Sequence, residues 1–392
     1  MKALFFRKMI QFAGAVILFS VVRQLLVFPW LAREYVDTFS QVTFLVFTFE
    51  ALLYLLIGAF PDFYAKNSSG GEVNTPLISR LLYLNNFGSI ICFCLPFFGV
   101  DVLFSFLLFP FFVFSGRNAL NLKLVFNKLD YLENYYYIVY RIFPYFSLFM
   151  IVWVESYWVV AFFCLCLSAS EVCYSFRLSR ITAAYERGAS LVTSGLNSKA
   201  LMVFCIAYIF ISFSQRGDFT GIGYFYSSAD YADFAMLMSV VNFFCNPVAL
   251  VTGAGLLSLL VNQKVDFDLV VFFKVLFVVL FLSAFISVTA AALFGYVEFF
   301  LYGKTIGFSS FTVFFVVFFN IIFLSFRTLT VRFFSPVLLL VLYGALCLVL
   351  AGLVMTKSLD VFLNYYYSLR ALLVVIFFFF YIFVLRFRKG VC

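Results

Sequence analysis

Apolar runs of about 20 residues, the length that crosses the hydrocarbon core of a bilayer as a helix, recur along the whole of this chain. They fall at roughly 9–31, 38–60, 81–99, 102–120, 137–154, 157–176, 199–214, 232–260, 269–293, 308–326, 336–356 and 361–385. Over 392 residues the composition is 65% apolar and 11% charged, with a mean hydropathy of +1.10. A water-soluble domain is about half apolar and about a quarter charged. No soluble core could hide the excess, so the solvent must be lipid. The expected fold class is an all-α polytopic membrane protein of about twelve transmembrane helices.

The first residues, "MKALFFRKMIQFAGAVILFSVV", have the basic start and apolar run of a signal peptide. Arg23 and Gln24 stand where small cleavage-site residues should be, and the apolar run then resumes. The segment therefore reads as a retained first helix. Counting Lys and Arg between the expected spans gives eighteen on the side of the N-terminus. The other side has four, namely Arg33, Arg216, Lys304 and Lys357. Cytoplasmic loops carry the basic excess, so a multi-pass protein with both termini in the cytoplasm is expected. Those loops account for the net charge of +8, so nucleic acid is not expected as a partner. No outer loop is long enough to fold as a module.

Two stretches look like copies of each other. "EYVDTFSQVTFLVFTFE" runs from Glu34 to Glu50 and "DYADFAMLMSVVNFFCN" from Asp230 to Asn246. Each begins acid-Tyr-x-Asp, and the offset of 196 is half the chain. Each would open the second helix of a six-helix half. The expected organisation is thus 1–190 and 191–392, two parallel halves around a central cavity, an architecture of secondary transporters. The cytoplasmic segment 177–198 would be the hinge. "NYYY", at Asn134 and again at Asn364, has a different offset and falls on opposite sides, so it is read as composition.

The chain has no histidine, which removes the usual general base and metal ligand. It has no P-loop, nucleophile elbow or nucleophile–His arrangement either. Cys92/Cys94 and Cys164/Cys166 are read as small apolar residues rather than ligands. No catalytic residue, metal or cofactor is expected, apart from a proton or Na+ that would couple transport to a gradient.

Charges inside spans are costly, about 2.5–3.5 kcal/mol each near the bilayer centre unless they face a partner or water. Arg23, Glu50, Arg141, Glu171, Lys274 and Arg370 fall inside the expected spans. Arg141 and Lys274 lie near cytoplasmic ends, where snorkelling is the plain alternative. For Glu50, an ion pair with Arg23 competes with a role at the cavity. Ser239, Asn242 and Asn246, at i, i+3 and i+7, put a polar stripe on one face of a helix; this is either hydrogen-bonded glue or a cavity lining. Asn320 and Arg327 would extend it. Four intramembrane cations against two acids favour an anionic head group such as a pyrophosphate. The candidate substrate-binding residues are therefore Arg23, Glu50, Arg141, Ser239, Asn242, Asn246, Lys274, Asn320 and Arg370. Arg216-Gly217-Asp218, with Gly221 and Gly223 after it, is expected to end one helix in a turn at the outer mouth.

The run "LLVFPWLAREYVDTFSQVTFLVFTFEALLYLLIGAFPDFYAK", Leu25 to Lys66, resembles the opening of Wzx-type bacterial polysaccharide flippases, exporters of O-antigen and capsule precursors. These belong to the multidrug/oligosaccharidyl-lipid/polysaccharide exporter superfamily. "SQRGDFTGIGYFYSSADYADFAML", Ser214 to Leu237, and "FFLYGKTIGFSSFTVFF", Phe299 to Phe315, are similar to its later turns. One departure is Val36, where the family's acid-Tyr pair is followed by Gly. The resemblance implies alternating-access flipping of undecaprenyl-pyrophosphate-linked oligosaccharide repeat units, with Arg23 and Arg370 carried over as cavity cations. It also implies a lipid-linked oligosaccharide and the bilayer as partners, along with a polysaccharide polymerase and a chain-length regulator. The rival readings are a proton- or sodium-coupled drug/cation antiporter using Glu50, a major-facilitator transporter and a polysaccharide polymerase. The basic loop of the second and the long outer loop of the third are missing from the sequence.

Overall fold

The computed structural model describes residues 14, 17–67, 75–126, 131–186, 198–262, 269–303, 305–356 and 358–390. Among these every regular element is helical. The π-helical turn Val21–Val27 runs into α1 (Phe28–Glu34). Next come α2 (Val36–Tyr54), a second π-turn Leu55–Ala59 and α3 (Phe60–Asn67). Then α4 (Thr75–Gly88) continues as the 3-10 segment Ser89–Phe98, α5 spans Val102–Phe126, and α6 (Tyr131–Phe146) continues as the 3-10 turn Ser147–Val152. The rest are α7 (Ser156–Glu186), α8 (Ser198–Phe225), α9 (Ser228–Asn262), α10 (Leu269–Tyr302), α11 (Ser310–Phe333), α12 (Pro336–Val354) and α13 (Leu359–Gly390).

Nine helices among the described residues are long and apolar enough to cross a membrane. The expected spans 9–31 and 232–260 run partly outside the residues or side chains described, and the apolar part of 137–154 forms a shorter helix, Val139–Val152. Most of the expected hinge 177–198 falls there too, although α7 runs unbroken through the first part of that segment to Glu186.

The departures from α geometry have a covalent cause. Pro29 and Pro61 cannot donate to the carbonyl four residues back, and each π-turn lies just before or up to one of them. The 3-10 segments contain Pro96 or follow Pro144. The first π-turn has a consequence for the interior: its wider turn leaves Val22, Arg23 and Gln24, three consecutive residues, all buried.

Helices in lipid cannot be held by the hydrophobic effect alone, because both faces are apolar. On α10 the residues Phe273, Phe277, Phe281 and Phe285, four apart, are exposed as they would be to lipid. The opposite face buries Ser283, Ser287 and Ala290 among larger side chains, so small residues set the close approach.

The firmest packing pairs α5 with α7, α8 with α12, α10 with α11, α11 with α13, α9 with α11, and α2 with α8. The seam of α8 against α2 and the start of α3 is antiparallel and polar at intervals. Tyr208, Ser212, Arg216 and Thr220, four residues apart on α8, meet Asp62, the Ala51 carbonyl, Glu50 and Thr48 in turn. Phe47 stacks on Phe219 with ring centroids 3.6 Å apart.

Arg216-Gly217-Asp218 is no turn. It lies inside α8, which continues to Phe225 and exceeds the expected span 199–214 by about three helical turns. The glycines that suggest a loop serve close packing instead. A Cβ on Gly217 would sit 2.9 Å from Leu350 Cδ2, one on Gly221 3.1 Å from Val354 Cγ2, and one on Gly223 2.6 Å from Phe44 Cδ2. After α8, Ser227 and Asp230 cap the next helix. The Asp230 N–H donates to Ser227 Oγ at 3.1 Å, and Ser227 Oγ donates to Asp230 Oδ2 at 2.6 Å. Each acid-Tyr-x-Asp motif supplies a carboxylate to a first helical turn, Asp37 in α2 and Asp230 in α9, where it complements the helix dipole.

Gly217→Leu is expected to destabilise the α8–α12 contact by about 1–3 kcal/mol through overpacking. Gly344→Ala on α12, where a Cβ meets nothing within 4 Å, should leave stability unchanged or slightly raised. Thermal unfolding and size-exclusion profiles in detergent measure both.

Candidate functional site

A cavity of about 200 Å³ opens where the first π-turn, α2, α6, α8 and α9 converge. Arg23 and Gln24 enter from the π-turn, Phe47 and Glu50 from α2, and Arg141 and Tyr145 from α6. Arg216 enters from α8, and Asn242 and Asn246 from α9.

Glu50 is the hub. Arg23 Nη1 donates to its Oε1 at 2.9 Å, and Arg216 Nε lies 3.5 Å from its Oε2. Arg23 is 4% exposed and sits among aromatic rings. Its Cζ is 4.9 Å from the Phe47 centroid, 5.2 Å from Phe28, 5.5 Å from Tyr145 and 5.7 Å from Phe19. Arg216 Cζ stands 5.3 Å from the same Phe47 ring, so one ring faces both guanidiniums. Guanidinium is weakly hydrated and stacks on π-faces, which is why arginine tolerates a site with so little water.

Arg23 Nε and Nη2 and Asn242 Nδ2 are buried without a hydrogen-bond partner, as is Gln24 Oε1. Buried polar groups are normally satisfied. Three such unpartnered donors belong to residues that line this one cavity.

Arg141 turns inward rather than snorkelling. Its Nε donates to Glu171 Oε1 at 2.9 Å and its Nη2 reaches Ser115 Oγ at 3.4 Å. Asn118 Nδ2 donates to Glu171 Oε2 at 2.9 Å and to the Glu171 carbonyl at 3.1 Å. The lining thus carries Arg23, Arg141 and Arg216 against Glu50, with Glu171 behind Arg141.

Arg370 and Asn320 belong to a second, separate cluster. Arg370 is 2% exposed; it donates through Nη2 to Asn320 Oδ1 and through Nη1 to the Ser214 carbonyl at 3.2 Å. Its Cζ lies 4.2 Å from the Tyr367 centroid and 4.5 Å from Phe323. Tyr367 in turn donates to Asp218 Oδ2 at 2.7 Å. Ser239 is buried and donates to the Ala235 carbonyl at 2.8 Å, so its hydroxyl is used within its own helix. It is not part of the cavity lining. Lys274 is exposed among Val270, Phe273, Phe277 and Val278 near the start of α10, in keeping with snorkelling.

Of the residues expected from sequence, the cavity gathers Arg23, Glu50, Arg141, Asn242 and Asn246. It does not gather Ser239, Lys274, Asn320 or Arg370. Sequence reasoning missed Arg216, which it assigned to an outer loop. The available signal was the four-residue spacing of Tyr208, Ser212, Arg216 and Thr220, obscured by the glycines among and after them. No group of three or more His, Cys, Asp or Glu able to hold a metal occurs among the described residues.

Against known proteins the chain stands apart: no family model, characterised protein or solved structure matches it significantly.

Arg141→Leu should leave Glu171 buried with only Asn118. The expected cost lies toward the low end of about 3–5 kcal/mol, because the Arg141 side chain is itself partly exposed. The Arg141→Leu/Glu171→Leu double variant should be more stable than Arg141→Leu alone. Chemical or thermal unfolding of the purified variants reads this directly.

Proposed function

We propose that this protein is a flippase for an anionic lipid-linked saccharide, the undecaprenyl-pyrophosphate-linked repeat unit of a surface polysaccharide. The observation that carries this reading is the cavity with three arginines and unpartnered N–H donors around one shared carboxylate. Pyrophosphate is the acceptor chemistry that such donors suit. Beside it lies an apolar groove of about 1050 Å³ between Leu25, Phe243 and Phe244 on one side and Ala291, Ala292 and Phe299 on the other. Leu25 follows Gln24 in the chain and Phe243 follows Asn242, so the same two segments contribute residues to the polar pocket and to the apolar groove. An amphiphile with an anionic head fits that combination.

In this proposal the nine candidate spans, together with 17–34, 131–152 and α9, make twelve crossings in two halves, 1–190 and 191–392. Several packing pairs support it, because they recur six helices later. The pair α5–α7 has its counterpart in α11–α13, and α6–α7 in α12–α13. The contact of the Leu55–Ala59 turn with α5 has its counterpart in α9–α11, and that of the Val21–Val27 turn with α6 in α8–α12. Contacts between halves are reciprocal as well, α2 with α8 and the first π-turn and α1 with α9. Both termini would face the cytoplasm of a bacterial inner membrane, and a proton or Na+ gradient would drive the cycle. A polymerase and a chain-length regulator would act downstream.

The drug/cation antiporter is less favoured, because Glu50 is held by two arginines and cavity cations outnumber acids. Deleting the gene should strand lipid-linked repeat units on the cytoplasmic leaflet and abolish surface polysaccharide; intact polysaccharide would overturn the flippase reading. Arg23→Ala and Arg216→Ala should each cut export about tenfold or more, the effect of removing one charged contact to a buried anion. Lys274→Gln should export like the wild type.

A further inference from the structure

Glu50 sits between two guanidiniums at the edge of the cavity. Its two oxygens meet two guanidiniums from different parts of the chain, Arg23 beside α1 and Arg216 on α8. Its side chain is 24% exposed, whereas that of Arg23 is 5% exposed. So the acid, unlike Arg23, borders the open space of the cavity. Among the described residues lining that space, Glu50 is also the only carboxylate. Around it, Arg23 Nε and Nη2 and Asn242 Nδ2 are buried and unpartnered.

We propose that Glu50 is a tethered stand-in for the substrate's anion, one that holds Arg23 and Arg216 across the α2–α8 seam until a polyanionic head group displaces it. The inference rests on the flippase reading and adds to it how the site is kept shut and which charge opens it. A buried guanidinium left without a counter-charge is strongly unfavourable. Arg23, whose side chain is 5% exposed, is in that position, so Glu50 leaves it only when another anion takes its place. A head group with at least two negative charges satisfies both arginines and the idle donors together; a neutral or cationic compound cannot. Once Glu50 swings away, the ionic link between α2 and α8 at this level is lost. Thr48/Thr220 and Phe47/Phe219 remain next to it. The displaced contact thus ties head-group charge to loosening of the seam.

The experiment uses the full chain in nanodiscs, with farnesyl diphosphate and inorganic pyrophosphate as probes and calorimetric affinity as the readout. Glu50→Gln removes the competitor and should tighten binding of both probes about tenfold, the scale of one charged contact. Glu50→Asp should stay near the wild type, and adding Arg216→Gln to Glu50→Gln should cancel most of the gain. Equal or weaker binding by a folded Glu50→Gln protein would overturn the inference and leave the flippase reading standing. Binding of neither probe by wild type or Glu50→Gln would sink both.

A second measurement avoids altering Glu50 at all. A Thr48→Cys/Thr220→Cys pair, in a background without the native cysteines, reports the seam by disulfide formation. Farnesyl diphosphate should slow that cross-link several-fold, and farnesol should not. An unchanged rate in a protein that binds the diphosphate would refute displacement of Glu50.

Discussion

One carboxylate shared by two guanidiniums organises the middle of this protein. Glu50 bonds Arg23 at 2.9 Å and approaches Arg216 at 3.5 Å. In an interior shielded from water, such charges are tolerable only when paired or stacked. The aromatic rings around Arg23, the π-turn that buries it, and the glycines that bring α8 close to its neighbours all serve that requirement. Without Glu50 the arginines of two separate helices would repel each other across a seam that is otherwise held by hydroxyls and ring stacking.

The same physics produces the second cluster, and the contrast between the two is informative. Arg370 is enclosed by Asn320, the Ser214 carbonyl and aromatic faces, with Asp218 reached through the Tyr367 hydroxyl. It lines no part of the cavity described above and reads as a packed polar core within α8, α11 and α13. The Arg23–Glu50–Arg216 group, by comparison, borders open space; an idle N–H is common to both, Nε on Arg370 and Nε and Nη2 on Arg23. Neither burial of an arginine nor an idle N–H on it marks a binding site by itself; the open space beside Glu50 is what distinguishes the first cluster.

Much of this was legible from residues alone. The apolar runs declared a helical membrane protein because lipid leaves the backbone few alternatives, and the intramembrane charges declared themselves because few residues there are charged. The Arg23–Glu50 pairing was one of two readings the sequence left open. Arg216 was hidden because Arg-Gly-Asp followed by two more glycines reads as a turn. In lipid, glycine is also the residue that lets helices touch, and only Leu350, Val354 and Phe44 on the facing helices reveal which role it plays. Ser239 shared the stripe of Asn242 and Asn246 by spacing, yet its hydroxyl bonds its own backbone at Ala235. Spacing assigns a face; it does not say whether a hydroxyl is already spoken for.

By itself, the sequence determined the solvent, the helical class and the short list of charges that had to find partners. These follow from composition and from the fixed cost of placing charge in hydrocarbon. Tertiary structure decided which partners they found. It brought Arg216 to Glu50, turned Arg141 inward to Glu171, left Lys274 at the surface and enclosed Arg370 apart from the cavity. Those outcomes depend on helix length, rotation and neighbour choice. They are set by where prolines widen or tighten a turn and where glycines admit a neighbour, which no single helix specifies alone.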